Sequence, residues 1–227
     1  MTPIALVIFD CDGVLIDSEV ISAAMLIAEL KPYGIDMTRE FVARHFLGRS
    51  YPAVLAEVRQ TFGVTLPAQF ETDYRARLLA AFARDLMIMP GVADTIARLG
   101  LPSCVATSSS PERVAQSLRL VGLAETFGPR VFTASRVARG KPAPDLFLLA
   151  ADEMGVLPQN CLVIEDSLNG LRAGLAAGMQ VWRFTGGSHL RGIDLATPED
   201  AHPHREFNDF TRFFDMHPDL GPIKALP

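Results

Sequence analysis

The sequence predicts an α/β fold: a doubly wound parallel-sheet core with a small all-helical segment inserted after the first strand. Three observations predict it. Short apolar runs rich in branched residues alternate with helical patterns over residues 86–227, and such alternation means a parallel sheet with right-handed crossovers. One further apolar run, Ile4-Ala5-Leu6-Val7-Ile8-Phe9, stands apart near the N-terminus, and residues 18–85 after it read almost entirely as helix. The carboxyl ends of the strands carry acids, hydroxyls and a lysine, at the edge where open α/β sheets hold their ligands.

Each element has its own warrant. The first run is continuously apolar, as a strand buried on both faces must be. Val20, Ala24, Ile27 and Ala28 then recur at helical spacing, and Pro32 and Gly34 close that segment. Pro52 sits at a first helical position, and its helix stops near Gly63. Pro67 opens another helix through Tyr74, Leu78 and Phe82. Beyond Pro90-Gly91 a helix runs to Leu99, and Ser103-Cys104-Val105-Ala106-Thr107 reads as a strand. Ser110-Pro111-Glu112 is a helix start, with a capping hydroxyl, a proline at the first position and an acid in the first turn. Further strands are expected at residues 131–133, 161–164 and 180–184, with helices at 144–154 and 167–177 and a short amphipathic one at 207–216. The division is therefore a core of residues 1–17 and 86–227 and a helical cap of residues 18–85.

Composition narrows the function. A chain of 227 residues, 49% hydrophobic, can bury a sizeable core. Its net charge of −5 argues against nucleic acid as partner, because phosphate backbones need a basic surface. No apolar run is long enough to span a bilayer, and the N-terminus lacks a signal-peptide pattern. Cys11, Cys104 and Cys161 have no paired metal spacing and each falls in or beside a core strand. They read as reduced, buried thiols of a cytoplasmic protein. Nothing in the sequence marks an oligomer, so a monomer is the default.

The chemistry lies at the strand ends. The first strand runs into Asp10-Cys11-Asp12-Gly13. Asp-Gly is a common turn pair, but two carboxylates this close repel each other and favour a bound cation. The second strand ends in Thr107-Ser108-Ser109-Ser110, the loop after the third carries Gly140-Lys141-Pro142, and the fourth ends in Glu165-Asp166-Ser167. Singly these are a capping loop, a surface lysine and a helix N-cap. Together, at one sheet edge, they supply oxygen ligands for Mg²⁺ and an ammonium and hydroxyls for phosphate oxygens.

These residues, with Asp17-Ser18-Glu19, Pro142-Ala143-Pro144-Asp145 and Leu168-Asn169-Gly170 around them, give the chain its resemblance to a family. It resembles the haloacid dehalogenase superfamily of phosphohydrolases, in the helical-cap branch that includes β-phosphoglucomutases and sugar-phosphate phosphatases. The resemblance covers nearly the whole chain, the last 40 residues least. It implies a Rossmann-like core, a mobile cap, Mg²⁺, and hydrolysis of a small phosphorylated metabolite through a phosphoaspartate. It further implies that Asp10 attacks phosphorus and that Asp12 protonates the leaving alkoxide and then deprotonates water, a role that needs a carboxyl able to hold a proton near neutral pH. Thr107 and the Ser108 amide would bind phosphoryl oxygens, and Lys141 would bridge Asp10 and phosphate. Asp10, the main-chain carbonyl of Asp12 and Asp166 would ligate the metal, with Glu165 beside them as an outer partner. Members without a carboxylate at the Asp12 position include the carbon–halogen hydrolases, so Asp12 argues against dehalogenation.

The cap speaks to substrate. Leu47-Gly48-Arg49-Ser50 resembles the cap loop that contacts substrate in sugar-phosphate members, and Arg49 could pair a carboxylate or second phosphate. A sugar or sugar-acid phosphate is the expected substrate. The mutase branch carries a histidine about a dozen residues past the nucleophile, where this chain has Ile21-Ser22-Ala23-Ala24. That departure favours net hydrolysis, with a β-phosphoglucomutase-like phosphosugar mutase as the alternative. His202, His204 and His217 read as surface residues; His45 in the cap and His189, after Gly186-Gly187-Ser188, are within reach of a substrate but are not expected to contact it. A receiver module shares the aspartate, cation, hydroxyl and lysine, but places its acceptor on a later strand of a much shorter chain.

Overall fold

The computed structural model describes residues 3–193, 196–216 and 218–221. Strand β1 (Leu6–Phe9) is buried at every position. Four helices follow: α1 (Glu19–Leu30), α2 (Arg39–His45), α3 (Tyr51–Phe62) and α4 (Phe70–Asp85). They enclose a hydrophobic cluster of their own, built on Leu26, Leu30, Phe46, Leu55, Phe70 and Leu78. The two chain segments that join this insertion to β1 and to the rest of the core are hydrogen-bonded to each other. Asp17 N donates to Met87 O at 2.9 Å and Met89 N to Leu15 O at 2.8 Å, with an antiparallel bridge between Ile16 and Ile88.

Helix α5 (Val92–Arg98), strand β2 (Ser103–Thr107), helices α6 (Pro111–Leu120) and α7 (Ala124–Phe127) and strand β3 (Val131–Thr133) come next. After α8 (Asp145–Glu153), β4 (Cys161–Glu165), α9 (Leu168–Ala176), β5 (Gln180–Phe184) and β6 (Arg205–Phe207), the chain ends in the short helix α10 (Phe213–Met216). The six strands pair in parallel in the order β3-β2-β1-β4-β5-β6. β1 lies between β2 and β4, where the direction of winding reverses and doubly wound sheets place their binding crevice. Its side chains alternate between two cores. Val7 and Phe9 pack with Phe127 and Trp182 on one face, and Leu6 and Ile8 with Phe147 and Leu171 on the other.

The helix start read at Ser110 holds: its hydroxyl accepts from Arg113 N at 3.4 Å. Four details differ from expectation, the first being that a sixth strand, β6, joins the sheet beside β5. The segment 207–216 is not one helix. Phe207 ends β6, and only residues 213–216 are α-helical. Phe207, Phe210 and Phe213 all pack onto Trp182 or Phe184, so burial of rings overrides the helical spacing. Helix α4 begins at Phe70 rather than Pro67, whose carbonyl accepts from Phe70 N at 3.0 Å in the preceding turn. The short helix α7 was not expected, being a single turn. His204 is exposed as expected, but its Nδ1 accepts from Val181 N at 3.0 Å. His217 lies outside the described residues. No helix among the described residues is long and apolar enough to cross a membrane, and all three cysteines are free and buried.

Candidate active site

Asp10 continues the line of β1, its amide still donating to Ile164 O at 2.9 Å. The chain then turns at Gly13, with φ +80°, where a Cβ would stand 2.0 Å from Asp166 Oδ2. A side chain at Gly13 would therefore displace the acid at the end of β4. Lys141 arrives from the loop after β3 with a fully buried side chain. Its Nζ donates to Asp10 Oδ1 and Glu165 Oε1, both at 2.8 Å, and to Ala106 O at 3.1 Å. Burial works against its charge, but Asp10 and Glu165 outweigh it and raise its pKa. A buried ammonium persists only with such partners.

Glu165 spends its carboxylate on fixed donors. Oε1 holds Lys141, while Oε2 accepts from Ser167 N at 2.7 Å and Ser167 Oγ at 2.9 Å. Ser167 in turn caps α9 through Gly170 N. Asp10, Glu165 and Asp166, all buried, bring carboxylate oxygens within 4.8 Å of one another. Burial pushes the pKa values of Asp10 and Asp166 well above the usual carboxylate range; Lys141 opposes the rise, and the neighbouring acids add to it. Asp166 Oδ2 accepts no well-aligned hydrogen bond among the described residues, the nearby His189 Nε2 at 2.8 Å included. An under-satisfied buried oxygen inside an all-oxygen acidic group fits a hard cation such as Mg²⁺.

Asp12 stands outside that acidic group. Its metal role is expected of the main-chain carbonyl; its carboxylate is engaged elsewhere. Oδ1 accepts from Ser18 Oγ at 2.6 Å and Arg113 Nη2 at 2.7 Å, and Oδ2 from Ser109 Oγ at 2.5 Å. Burial alone would raise its pKa, but the Arg113 guanidinium and the two hydroxyls lower it. This corrects the expectation of a carboxyl that keeps its proton near neutral pH: as found, Asp12 is a carboxylate. Thr107 is buried at the end of β2, its Oγ1 accepting from Ser109 N at 3.0 Å.

Above these groups lies a cleft of about 410 Å³. Asp10, Asp12, Thr107 and Ser108 line its floor, and Gly48, Arg49, Tyr51 and Arg75 of the insertion line its roof. The insertion touches the floor directly. Ser108 Oγ donates to Gly48 O at 2.8 Å and Asn169 Nδ2 to Leu47 O at 2.9 Å. Gly48, at φ +75°, permits this approach, because a Cβ there would lie 2.0 Å from Ser167 Oγ. Arg49 lines the cleft, but its guanidinium is paired with Glu57 of α3, so an anion must compete with that carboxylate.

Several residues of the site escape sequence reasoning. Arg113 lies one turn into α6 and reads as an ordinary surface position. Glu19 lines the cleft, and its pKa is pushed up to about 8, by burial first and then by the nearby Asp12 charge. His189 is buried with Nε2 2.8 Å from Asp166 Oδ2, beneath the acidic group; burial lowers its pKa, so it is neutral. No sequence signal marks it apart from the small residues Gly186-Gly187-Ser188 before it, which leave room for a ring.

A family model for haloacid dehalogenase-like hydrolases matches residues 4–178. The 6-phosphogluconate phosphatase of Escherichia coli (strain K12) is 31% identical over 194 residues, 85% of this chain and 88% of that protein. Among solved structures, a conserved haloacid dehalogenase-like protein from Agrobacterium tumefaciens str. C58 is similar with a TM-score of 0.79 at 32% identity, covering 94% of this chain and 97% of that one. A HAD family hydrolase from Deinococcus radiodurans R1, solved with bound phosphate and sodium, is similar with a TM-score of 0.76 at 32% identity, covering 98% of this chain and all of that one.

Proposed function

The chain belongs to the haloacid dehalogenase-like hydrolases, and from that premise we propose that it is a Mg²⁺-dependent cytoplasmic phosphomonoesterase acting on a sugar or sugar-acid phosphate through a phosphoaspartate at Asp10. One observation carries the reading. A carboxylate stands at the end of the central strand, 2.8 Å from a buried ammonium and within an acidic triad, and it faces the cleft. In this reading residues 1–17 and 86–227 are the catalytic core and residues 18–85 are its cap.

Asp10 forms a bond to phosphorus as the bond to the leaving oxygen breaks. Lys141 offsets the repulsion between carboxylate and phosphate and holds Asp10 in line. Thr107 and the Ser108 amide take the transferred oxygens. As the charge of an arriving phosphate raises its proton affinity, Asp12 takes up a proton from solvent and gives it to the leaving alkoxide. Asp12 then takes a proton from water as the water attacks the acyl phosphate, releasing inorganic phosphate and restoring Asp10. For this second step the carboxylate form found here is the ready one. Asp10, Asp166 and the Asp12 carbonyl would hold Mg²⁺, with Glu165 as the fixed outer partner. When bound, the cation supplies charge neutralisation for the phosphoryl group.

The substrate class is supported by the 6-phosphogluconate phosphatase relative, and by the arginines Arg49 and Arg75 in the roof of the cleft. Hydrolysis rather than mutation of the phosphosugar is supported at Ser22 of α1, which contacts Arg113; there is no histidine on this stretch of the cap to shuttle a proton. The test is phosphate release across a panel of phosphorylated metabolites with Mg²⁺, beside Asp10→Asn. Release on a sugar phosphate, lost in the variant, supports the reading. Wild-type rates in Asp10→Asn would sink it, and isomerised product without release would make the enzyme a mutase.

A further inference from the structure

Arg113 joins three parts of the molecule. Its Nη2 donates to Asp12 Oδ1 at 2.7 Å and also to Ser22 Oγ at 3.2 Å. Its guanidinium lies 5.0 Å from the ring centroid of Phe82. Asp12 belongs to the catalytic floor, Ser22 to α1 and Phe82 to α4. One nitrogen therefore spans core and insertion, while the guanidinium lies over a ring of the insertion's last helix. The contacts of the insertion with the floor at Gly48 and Leu47 are made by main-chain oxygens and do not touch the Asp12 carboxyl, whereas Ser18, the insertion's first residue, donates to it from the joint with the core.

We propose that Arg113 is a positioning residue that makes the orientation of the Asp12 carboxyl depend on the insertion being seated over the cleft. The inference rests on the phosphomonoesterase reading. With Ser22 and Phe82 in place, the guanidinium is held on three sides and Oδ1 of Asp12 is fixed. With the insertion lifted, the holds at Ser22 and Phe82 are gone, the guanidinium is tethered by Asp12 alone and no longer fixes the direction of Oδ1, and Asp12 is left with the hydroxyl of Ser109 and that of Ser18 at the joint between insertion and core. Proton delivery to the leaving group is thereby confined to the closed, water-poor cleft. The task suits arginine. Its planar fork places several donors at fixed angles and stacks on a ring, whereas a lysine ammonium is a point charge on a flexible stem.

The test compares kcat/KM of wild type, Arg113→Ala, Arg113→Lys and Ser22→Ala on two esters. One is a hexose 6-phosphate, whose alkoxide needs a proton to leave. The other is p-nitrophenyl phosphate, whose phenolate leaves without one. Arg113→Ala should lower kcat/KM on the sugar ester by about 100-fold, in the range of general acid catalysis, and on the aryl ester by at least tenfold less. Ser22→Ala, which leaves every hydrogen bond to Asp12 in place, should reproduce the same bias several-fold, and Arg113→Lys should recover part of the loss. Equal losses on both esters, or no bias in Ser22→Ala, would overturn the proposal. Amide hydrogen exchange provides a readout that needs no turnover. Arg113→Ala should speed exchange in residues 19–30 and 70–85, and unchanged exchange would also overturn it. Absence of turnover in wild type would instead count against the phosphomonoesterase reading, and exchange would still decide the role of Arg113.

Discussion

Replacing Lys141 by methionine removes one ammonium and leaves three buried carboxylates facing one another. Its Nζ makes two charge-assisted bonds at 2.8 Å and one bond to a carbonyl at 3.1 Å. Side-chain exposure is 0% for Lys141, 5% for Asp10 and 0% for Glu165, so water cannot take over. Breaking a pair buried this deeply costs about 3–5 kcal/mol. For a chain of 227 residues, each kcal/mol lowers Tm by about 2–4 °C, so the variant should melt roughly 10 °C below wild type at neutral pH without metal. The deficit has a definite pH dependence. Asp10 has a raised folded pKa, so the protein binds protons more readily folded than unfolded. That contribution is fully present below the ordinary carboxylate pKa and is lost as pH rises through the raised one. Without Lys141 the rise is larger, so the gap to wild type should widen from pH 5 to pH 8. Excess Mg²⁺ should narrow it at pH 8 by restoring positive charge. Calorimetry with and without Mg²⁺ at the two pH values measures this, and phosphate release should fall by about 10²–10³-fold. A variant that melts with wild type in metal-free buffer would refute the claim that Lys141 holds these carboxylates together.

Further outcomes are expected from the same site. Chelation of metal from the wild type should lower Tm more at pH 8 than at pH 5, because the raised Asp10 and Asp166 are ionised and mutually repelling only at the higher pH; an equal drop would contradict that crowding. His189→Ala should weaken Mn²⁺ or Mg²⁺ binding about tenfold, as removal of a group orienting a metal ligand does, measured by titration calorimetry without substrate. Gly48→Ala, forced to φ +75° with its Cβ against Ser167, should raise KM by disturbing the seating of the insertion while the metal-free core melts within a few degrees of wild type. Arg49→Ala should raise KM for a sugar-acid phosphate more than for a neutral sugar phosphate, and equal changes would remove Arg49 from substrate choice.

Much of this molecule could be read along the chain, for physical reasons. Strands buried on both faces leave continuous apolar runs, so β1, β2, β4 and β5 were legible. Asp10, Lys141, Glu165 and Asp166 come after such runs, and parallel pairing alone brings them to one edge. The illegible part came from contacts made across elements. Phe207, Phe210 and Phe213 carry a helical spacing that only the position of Trp182 overrules. The state of the Asp12 carboxyl depends on Arg113, a residue 101 positions away whose neighbours in the chain give no hint of it. Arg49 could be placed in the cleft from its loop, but its partner Glu57 could not, because helix-surface acids are common on any exposed face.

The paired segments beneath the insertion have a consequence for how this protein can be altered. Asp17 and Met87 are hydrogen-bonded neighbours, so all four helices hang from two adjacent backbone positions. The residues proposed to bind and break a phosphate ester are almost wholly in the part that would remain if those helices were exchanged for others. In the proposed reaction, selectivity and chemistry are thus carried on separable cassettes, joined at a seam of two paired segments. A new roof grafted at that seam keeps the floor beneath it, provided it offers Arg113 a hydroxyl and a ring to rest against.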